Sequence, residues 1–434
     1  MTSRSTSVTN QALTPLPASN RAFGWVEHAS LWFSLGVGLL VMQIGAYLAP
    51  AVGAQQALLA IVGGSFIGAG LLAWVAKIGC DSGLASAGLM HATYGSFFAR
   101  LPIFLNIVQL IGWTTFELVI MREGTMAIAH QTFDLNRDSL MGLVLTTLLW
   151  GSILIALAAG SMVTLVRRFV TRFGLPIVAL SLLWLSWQFL SGLNATGLDA
   201  IWKRPGDGSM RFFSALDLVI AMPVSWLPLV ADYARHGHNG RSALSGTWIG
   251  YAVANIWCYG LGVLAVSVGE PSADLVGALL LAQGGLIALG FILIDEIDNA
   301  YGDIYSAAVS AHSFRPRWSI RRWALIIAVS STLLALVLPM HGLEPFLLLL
   351  SSVFVPLFGV ILGRIGFGRA DISPSGQKID IIAAGLWIVG IVLYHGLALW
   401  APEIGSALPT LAFTFLLAVL TRPKAKSENH AAIA

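Results

Sequence analysis

The stretch Leu31-Trp32-Phe33-Ser34-Leu35-Gly36-Val37-Gly38 lies inside one apolar run. Ala221-Met222-Pro223-Val224-Ser225-Trp226-Leu227-Pro228 lies inside another, five runs later. Both place helix breakers well within a segment that hydropathy reads as membrane-spanning. Glycine gains little by being helical, and proline removes a backbone donor and clashes with the preceding turn. Either residue is ordinary in membrane helices, so one such segment alone decides little. Their matched positions decide more. Breaks in the first and sixth spans are what a five-helix inverted repeat produces, with freed backbone groups near the midplane available to a solute or ion.

The rest of the chain agrees with a membrane protein. Of its 434 residues 57% are hydrophobic and 10% charged, where soluble chains carry about 25% charge, and the mean hydropathy is +0.80. The 45 glycines and 15 tryptophans suit close helix approach and the headgroup level. Cys80 and Cys258 give neither a disulfide framework nor metal-ligand spacing. No apolar h-region precedes Ala29, so a cleaved signal peptide is not expected.

Runs of about 20 apolar residues, enough for roughly 30 Å of hydrocarbon, fall at 29–49, 56–78, 101–129, 139–159, 164–190, 214–234, 243–268, 275–311, 322–340, 343–363, 378–398 and 404–421. The third and eighth exceed one span and are expected to be tilted or broken. With both termini cytoplasmic, 19 of the 24 Lys and Arg residues fall inside, which is the bias that sets orientation. The outside receives Arg137, Lys203, Arg204 and Arg211. The expected organisation is a cytoplasmic segment 1–28, a ten-helix core 29–363 with repeats near 29–190 and 214–363, two accessory spans over 364–421, and a tail 422–434.

The costly residues point to the site. Gln109, Trp113 and Glu117 stand at i, i+4 and i+8 on the third span and share a helix face. An amide, an indole and a carboxylate on one stripe suit a flat, hydrogen-bonding ring. An internal ion pair of Glu117 with Arg122 is the structural alternative. The eighth span carries Asp295-Glu296-Ile297-Asp298-Asn299-Ala300-Tyr301-Gly302-Asp303, whose carboxylates cannot all be buried and ionised without cations nearby. Asp295, Asp298 and Asn299, at i, i+3 and i+4, together with carbonyls of a broken first span, offer hard ligands for Na⁺. Alternatively, one of the acids carries a proton.

These residues resemble the nucleobase–cation symporters, a family that includes cytosine permease and the hydantoin carrier. The likeness rests on Ser225-Trp-Leu-Pro-Leu-Val-Ala-Asp-Tyr-Ala-Arg235, on Gln109…Gly112-Trp113 and on Asp298-Asn299…Tyr305-Ser306. It implies an all-α, LeuT-type fold of ten core helices plus two, and coupled uptake of a nitrogenous heterocycle by alternating access. The implied substrate contacts are Gln109, Trp113, Glu117, Gly36, Ser225 and Trp226. The implied cation site is Ser34, Gly38, Asp295, Asp298 and Asn299. The sequence departs from the family at Pro223, where an aromatic is usual, and near Ala300, where cytosine permease has an asparagine. With the opening Phe23-Gly24-Trp25-Val26-Glu27-His28, the chain looks most like the branch assigned to hydroxymethylpyrimidine, a thiamin precursor.

The expectation is a secondary transporter in the inner membrane that imports a pyrimidine, hydroxymethylpyrimidine before cytosine, a purine or a hydantoin, driven by Na⁺ or H⁺. No enzymatic cofactor and no nucleic acid is expected, and a monomer suffices. A sensor would append a signalling domain, a channel would want a continuous polar pore, and an enzyme would show a nucleophile or metal constellation; the sequence displays none of these.

Overall fold

The computed structural model describes residues 10–160, 172, 174–268, 275, 279–280, 283–338, 342–367, 372 and 376–422. Its helices are α1 Trp25–Ser34, α2 Leu39–Val52, α3 Ala54–Ser82, α4 Ser86–Tyr94, α5 Arg100–Phe133, α6 Leu140–Ala158, α7 Leu175–Thr196, α8 Leu198–Trp202, α9 Phe212–Ser225, α10 Leu227–Ala234, α11 Gly240–Val268, α12 Gly285–Phe314, α13 Ile320–Val337, α14 Leu343–Ile365, α15 Ile381–Trp400 and α16 Ala407–Leu420. Among the described residues the only extended pairings are Phe23 with Gly237 and Gly53 with Pro205.

Nine spans are long and apolar enough to cross a membrane among the described residues, and the bent pair α1–α2 makes a tenth. The other two expected spans are also helical, but each misses one criterion. Helix α12 runs 30 residues yet carries Asp295, Glu296, Asp298 and Asp303, and α16 has only 14 residues. Both breaks fall where glycine and proline place them. The chain turns by 58° between α1 and α2 across Leu35–Gly38, and α9 gives way to α10 at Trp226. Helix α5 continues unbroken for 34 residues, whereas the eighth run, expected over 275–311, holds a turn at Gln283 and the left-handed Gly284 before the 30-residue α12 begins.

Packing holds the broken spans in the middle. Helices α1 and α2 lie on α11, α9 and α10 on α3, and α12 on α5. The crossing of α2 and α11 requires glycine on both sides. A Cβ at Gly45 would fall 2.1 Å from the Tyr259 carbonyl oxygen, and one at Gly262 would fall 1.9 Å from that of Met42.

Two features escaped the sequence reading. Helix α4, almost wholly buried, follows the left-handed Gly83 and is not a span. Residues 10–24, read as part of a plain cytoplasmic segment, are fastened across several elements. Leu16 N donates to Gly83 O at 2.8 Å, Arg21 Nη1 to Cys80 O at 2.8 Å, Phe23 N to His236 O at 2.8 Å and Asn10 Nδ2 to Ser313 O at 3.1 Å. At the opposite end, the Asp217 carboxylate of α9 accepts from the backbone N–H groups of Ser406 and, at 3.1 Å, Ala407, capping α16. Arg211 pairs with Glu403 at 2.7 Å beside it.

Candidate functional site

The two breaks meet α5 and α12 around one small central cavity. Its wall is Leu35, Val37, Gly38, Leu40 and Val41 from the first break, Met222, Ser225 and Trp226 from the second, Trp113 and Glu117 from α5, and Glu296 and Asn299 from α12. As closed here it admits a water-sized sphere over only about 20 Å³, room for little more than one water. A heterocycle therefore enters only if the walls part.

Aromatic faces dominate one side. Trp113 is 6% exposed and Trp226 8%. Trp113 meets Phe346 of α14 edge-on at 5.1 Å between ring centroids, and Trp226 meets Trp32 edge-on at 6.1 Å. Such contacts fix ring planes while leaving the opposite faces for a ligand.

Polar groups form the other side, and their geometry follows from helix spacing. Glu296 and Asn299 are one turn apart on α12. Glu296 Oε1 accepts from Leu39 N at 2.6 Å, satisfying a donor at the start of α2, and its Oε2 accepts from Asn299 Nδ2 at 3.0 Å. That same amide nitrogen also donates to the Val37 carbonyl at 3.0 Å. Glu117 and Glu296 stand together on the cavity wall.

Most of the expected contacts come together. Trp113, Glu117, Ser225 and Trp226 line the cavity, and Gln109 Nε2 donates to the Ser225 carbonyl at 3.0 Å. Gly36 does not line it; a Cβ there would fall 2.9 Å from Ala254 Cβ and 3.3 Å from the Tyr251 carbonyl oxygen, so it faces α11. The expected cation ligands divide into two groups. Ser34 Oγ donates to Asp295 Oδ1 at 2.9 Å and to Asp298 Oδ2 at 3.2 Å, whereas Gly38 and Asn299 sit with Glu296 on the cavity wall. The buried Asp295 Oδ2 has no partner among the described residues, which fits a hard-oxygen cation ligand. Among those residues no three His, Cys, Asp or Glu side chains converge as a metal cluster.

Sequence reasoning missed Glu296, Met222 and Asn106. Glu296, Asn299 and Asp303 share a stripe at i, i+3 and i+7 that the choice of Asp295, Asp298 and Asn299 overlooked. Asn106 holds three elements together. Its Nδ2 donates to Pro228 O at 3.2 Å and Ser310 Oγ at 3.1 Å, and its Oδ1 accepts from Gln109 Nε2 at 3.0 Å. One turn beyond Pro228, Asp232 is fully buried; it accepts from Ser86 N at 2.9 Å and from the Ser306 hydroxyl, bolting α10 to α4 and α12.

A family model described as "permease for cytosine/purines, uracil, thiamine, allantoin" matches residues 15–372. No curated protein matches the sequence. Among solved structures the chain is similar to Mhp1, a nucleobase-cation-symport-1 family transporter, in a closed conformation with bromovinylhydantoin bound; the identity is 16%, the TM-score 0.77, and 95% of each chain is covered. Mhp1 in an inward-facing conformation gives 16%, 0.74, and coverage of 96% of this chain and 93% of that one. MhsT in complex with L-phenylalanine gives 16%, 0.58, and coverage of 92% and 99%. These likenesses establish the fold, the LeuT-type arrangement that the family resemblance implied.

Proposed function

Because the chain belongs to the family of permeases for cytosine and purines, uracil, thiamine and allantoin, and is a transporter rather than an enzyme, we propose that it imports a pyrimidine-type heterocycle by cation-coupled alternating access. The observation that carries this reading is the convergence of both broken spans on a closed cavity with Trp113 and Trp226 on one side and the Glu117–Glu296–Asn299 edge on the other. Flat aromatic walls bind a base through its faces, and the polar edge addresses its rim. Hydroxymethylpyrimidine is the substrate we favour over cytosine, on the resemblance of the opening segment; the Glu117 carboxyl suits the exocyclic amine that both carry.

Ser34 with Asp295 and Asp298 is the proposed seat of a coupling cation, and a proton on one of the buried acids of the eighth span is the alternative carrier. The core 29–363 performs the exchange in the cell's inner membrane with both termini cytoplasmic, and the last two spans are accessory. Mhp1, similar in fold, has both closed and inward-facing structures, in keeping with a site that opens to one side at a time.

Uptake of radiolabelled hydroxymethylpyrimidine into cells expressing the chain tests the reading. Accumulation should collapse when Na⁺ is withdrawn or when a protonophore dissipates the proton gradient. Accumulation that survives both treatments together would remove coupling from the proposal.

A further inference from the structure

Around the cavity, the atoms that remain without a partner are almost all of one kind. Glu117 Oε2, Asn299 Oδ1 and Gln109 Oε1 are buried oxygens with no hydrogen bond among the described residues, and Trp113 Nε1 is the lone donor among these four. All four side chains are at least nine-tenths buried, and Trp113, Glu117 and Asn299 line the cavity directly. Leaving buried oxygens unpaired is costly unless a ligand supplies the donors.

The amide orientations behind this pattern are fixed by the neighbouring groups. Asn299 Nδ2 faces a main-chain carbonyl, Val37 O, and a carboxylate oxygen, Glu296 Oε2. Both are acceptors, so the amide nitrogen must stand there and the oxygen must face away. Gln109 Nε2 is held in the same way by the Ser225 carbonyl at 3.0 Å and by Asn106 Oδ1 at 3.0 Å. Asn106 is itself oriented, because its Nδ2 donates to the Pro228 carbonyl at 3.2 Å. Two carbonyls of the broken first and sixth spans, Val37 O and Ser225 O, thus dictate which end of each site amide is free. Glu117 adds a third buried oxygen, Oε2, without a partner among the described residues.

We propose that this edge is a donor-selective reader. Its oxygens accept from an exocyclic amino group where a dione of the same shape presents a carbonyl, so it selects amino-substituted heterocycles, with Asn106 as the positioning residue that sets the Gln109 amide. This deepens the function proposed above and rests on it. A 4-aminopyrimidine brings two N–H donors on one exocyclic group to these oxygens. Uracil brings a carbonyl to that place, so two oxygens oppose each other and the site oxygen stays unpaired. A polar site built for one hydrogen-bond pattern rejects the wrong pattern far more strongly than an apolar pocket rejects a missing methylene.

The experiment is a binding panel on the purified full-length chain, with hydroxymethylpyrimidine, cytosine and uracil as probes, read by thermal shift and by competition for uptake. The expected result is that the two amino compounds bind at least about tenfold more tightly than uracil. Uracil binding within threefold of cytosine overturns the proposal. If none of the three binds, the proposed function fails first. In the Asn106→Leu variant only the Ser225 carbonyl still holds the Gln109 amide, and the amino-to-dione ratio should fall. A merely structural Asn106 would weaken all probes alike and leave the ratio intact, which removes its positioning role. Should Asn106→Leu fail to fold, Gln109→Met deletes the same oxygen without disturbing Asn106's bonds to Pro228 and Ser310. The ratio should drop there too, and an unchanged ratio counts against the proposal.

Discussion

Replacing Trp113 with alanine separates packing from recognition, because the structure gives the ring both jobs. It is almost fully buried, rests edge-on against Phe346 and lies 6.0 Å from Phe116. Truncating such a side chain costs a fold about 3–5 kcal/mol, and this loss will appear in the melting temperature without ligand. Stacking on a base is worth about 1–3 kcal/mol; at about 2 kcal/mol, loss of the ring raises Kd roughly 30-fold. Ligand at 100 times the wild-type Kd stabilises the wild-type protein by about 2.7 kcal/mol. The same concentration is then only about threefold above the variant's Kd and stabilises it by about 0.9 kcal/mol. The assay is a thermal shift with and without hydroxymethylpyrimidine, comparing Trp113→Ala with Trp113→Phe, which keeps an aromatic face. The expected pattern is a lowered baseline in both, with about two-thirds of the ligand increment lost only in the alanine variant. A lowered baseline with the full ligand increment retained in Trp113→Ala would mean that the ring only packs.

Three further outcomes follow from other contacts. Ser34→Ala removes the hydroxyl shared by Asp295 and Asp298, so half-saturating Na⁺ in uptake assays should rise about tenfold, and an unchanged Na⁺ dependence clears Ser34 of cation binding. Asp232→Ala leaves the Ser86 N–H and the Ser306 hydroxyl buried and unpaired, at about 1–3 kcal/mol for each group. Cysteines introduced on α10 should then label faster with a membrane-impermeant reagent, whereas wild-type labelling rates would show that this bolt does not hold that end closed. His236 stands just beyond the membrane-spanning part of the sixth span, and burial, with Arg235 and His28 nearby, depresses its pKa to about 3. An unfolded imidazole titrates near pH 6.5, so between about 6.5 and 3 the unfolded chain binds the extra proton and stability falls as the pH is lowered, by up to about 1.4 kcal/mol per unit. His236→Gln should flatten the melting profile across that window, and an unaltered slope assigns the acid sensitivity elsewhere.

Much of the architecture was written locally. Gly36, Gly38, Pro223 and Pro228 break helices through their own backbone chemistry, so the kinks could be placed from single residues. The stripe of Gln109, Trp113 and Glu117 was legible because helical spacing alone puts those side chains on one face. The partners of that stripe were not legible. Glu296 meets Leu39 across 257 residues and Asn299 meets Val37 across 262, and no periodicity reports a contact between distant segments. Gly36 illustrates the reverse limit. The family resemblance placed it among the substrate contacts, but the turn between α1 and α2 rotates it onto α11. Helix α4 escaped because it is too short for a span and its buried face is supplied by other elements.

The capping of α16 by Asp217 has a consequence for how the molecule is made. The sixth span emerges from the ribosome nearly two hundred residues before Ser406 and Ala407, the backbone groups that satisfy its carboxylate. Until α16 docks, the Asp217 carboxylate of α9 lacks both donors, so a chain truncated before Ser406 should keep the transport core but lose thermal stability in it.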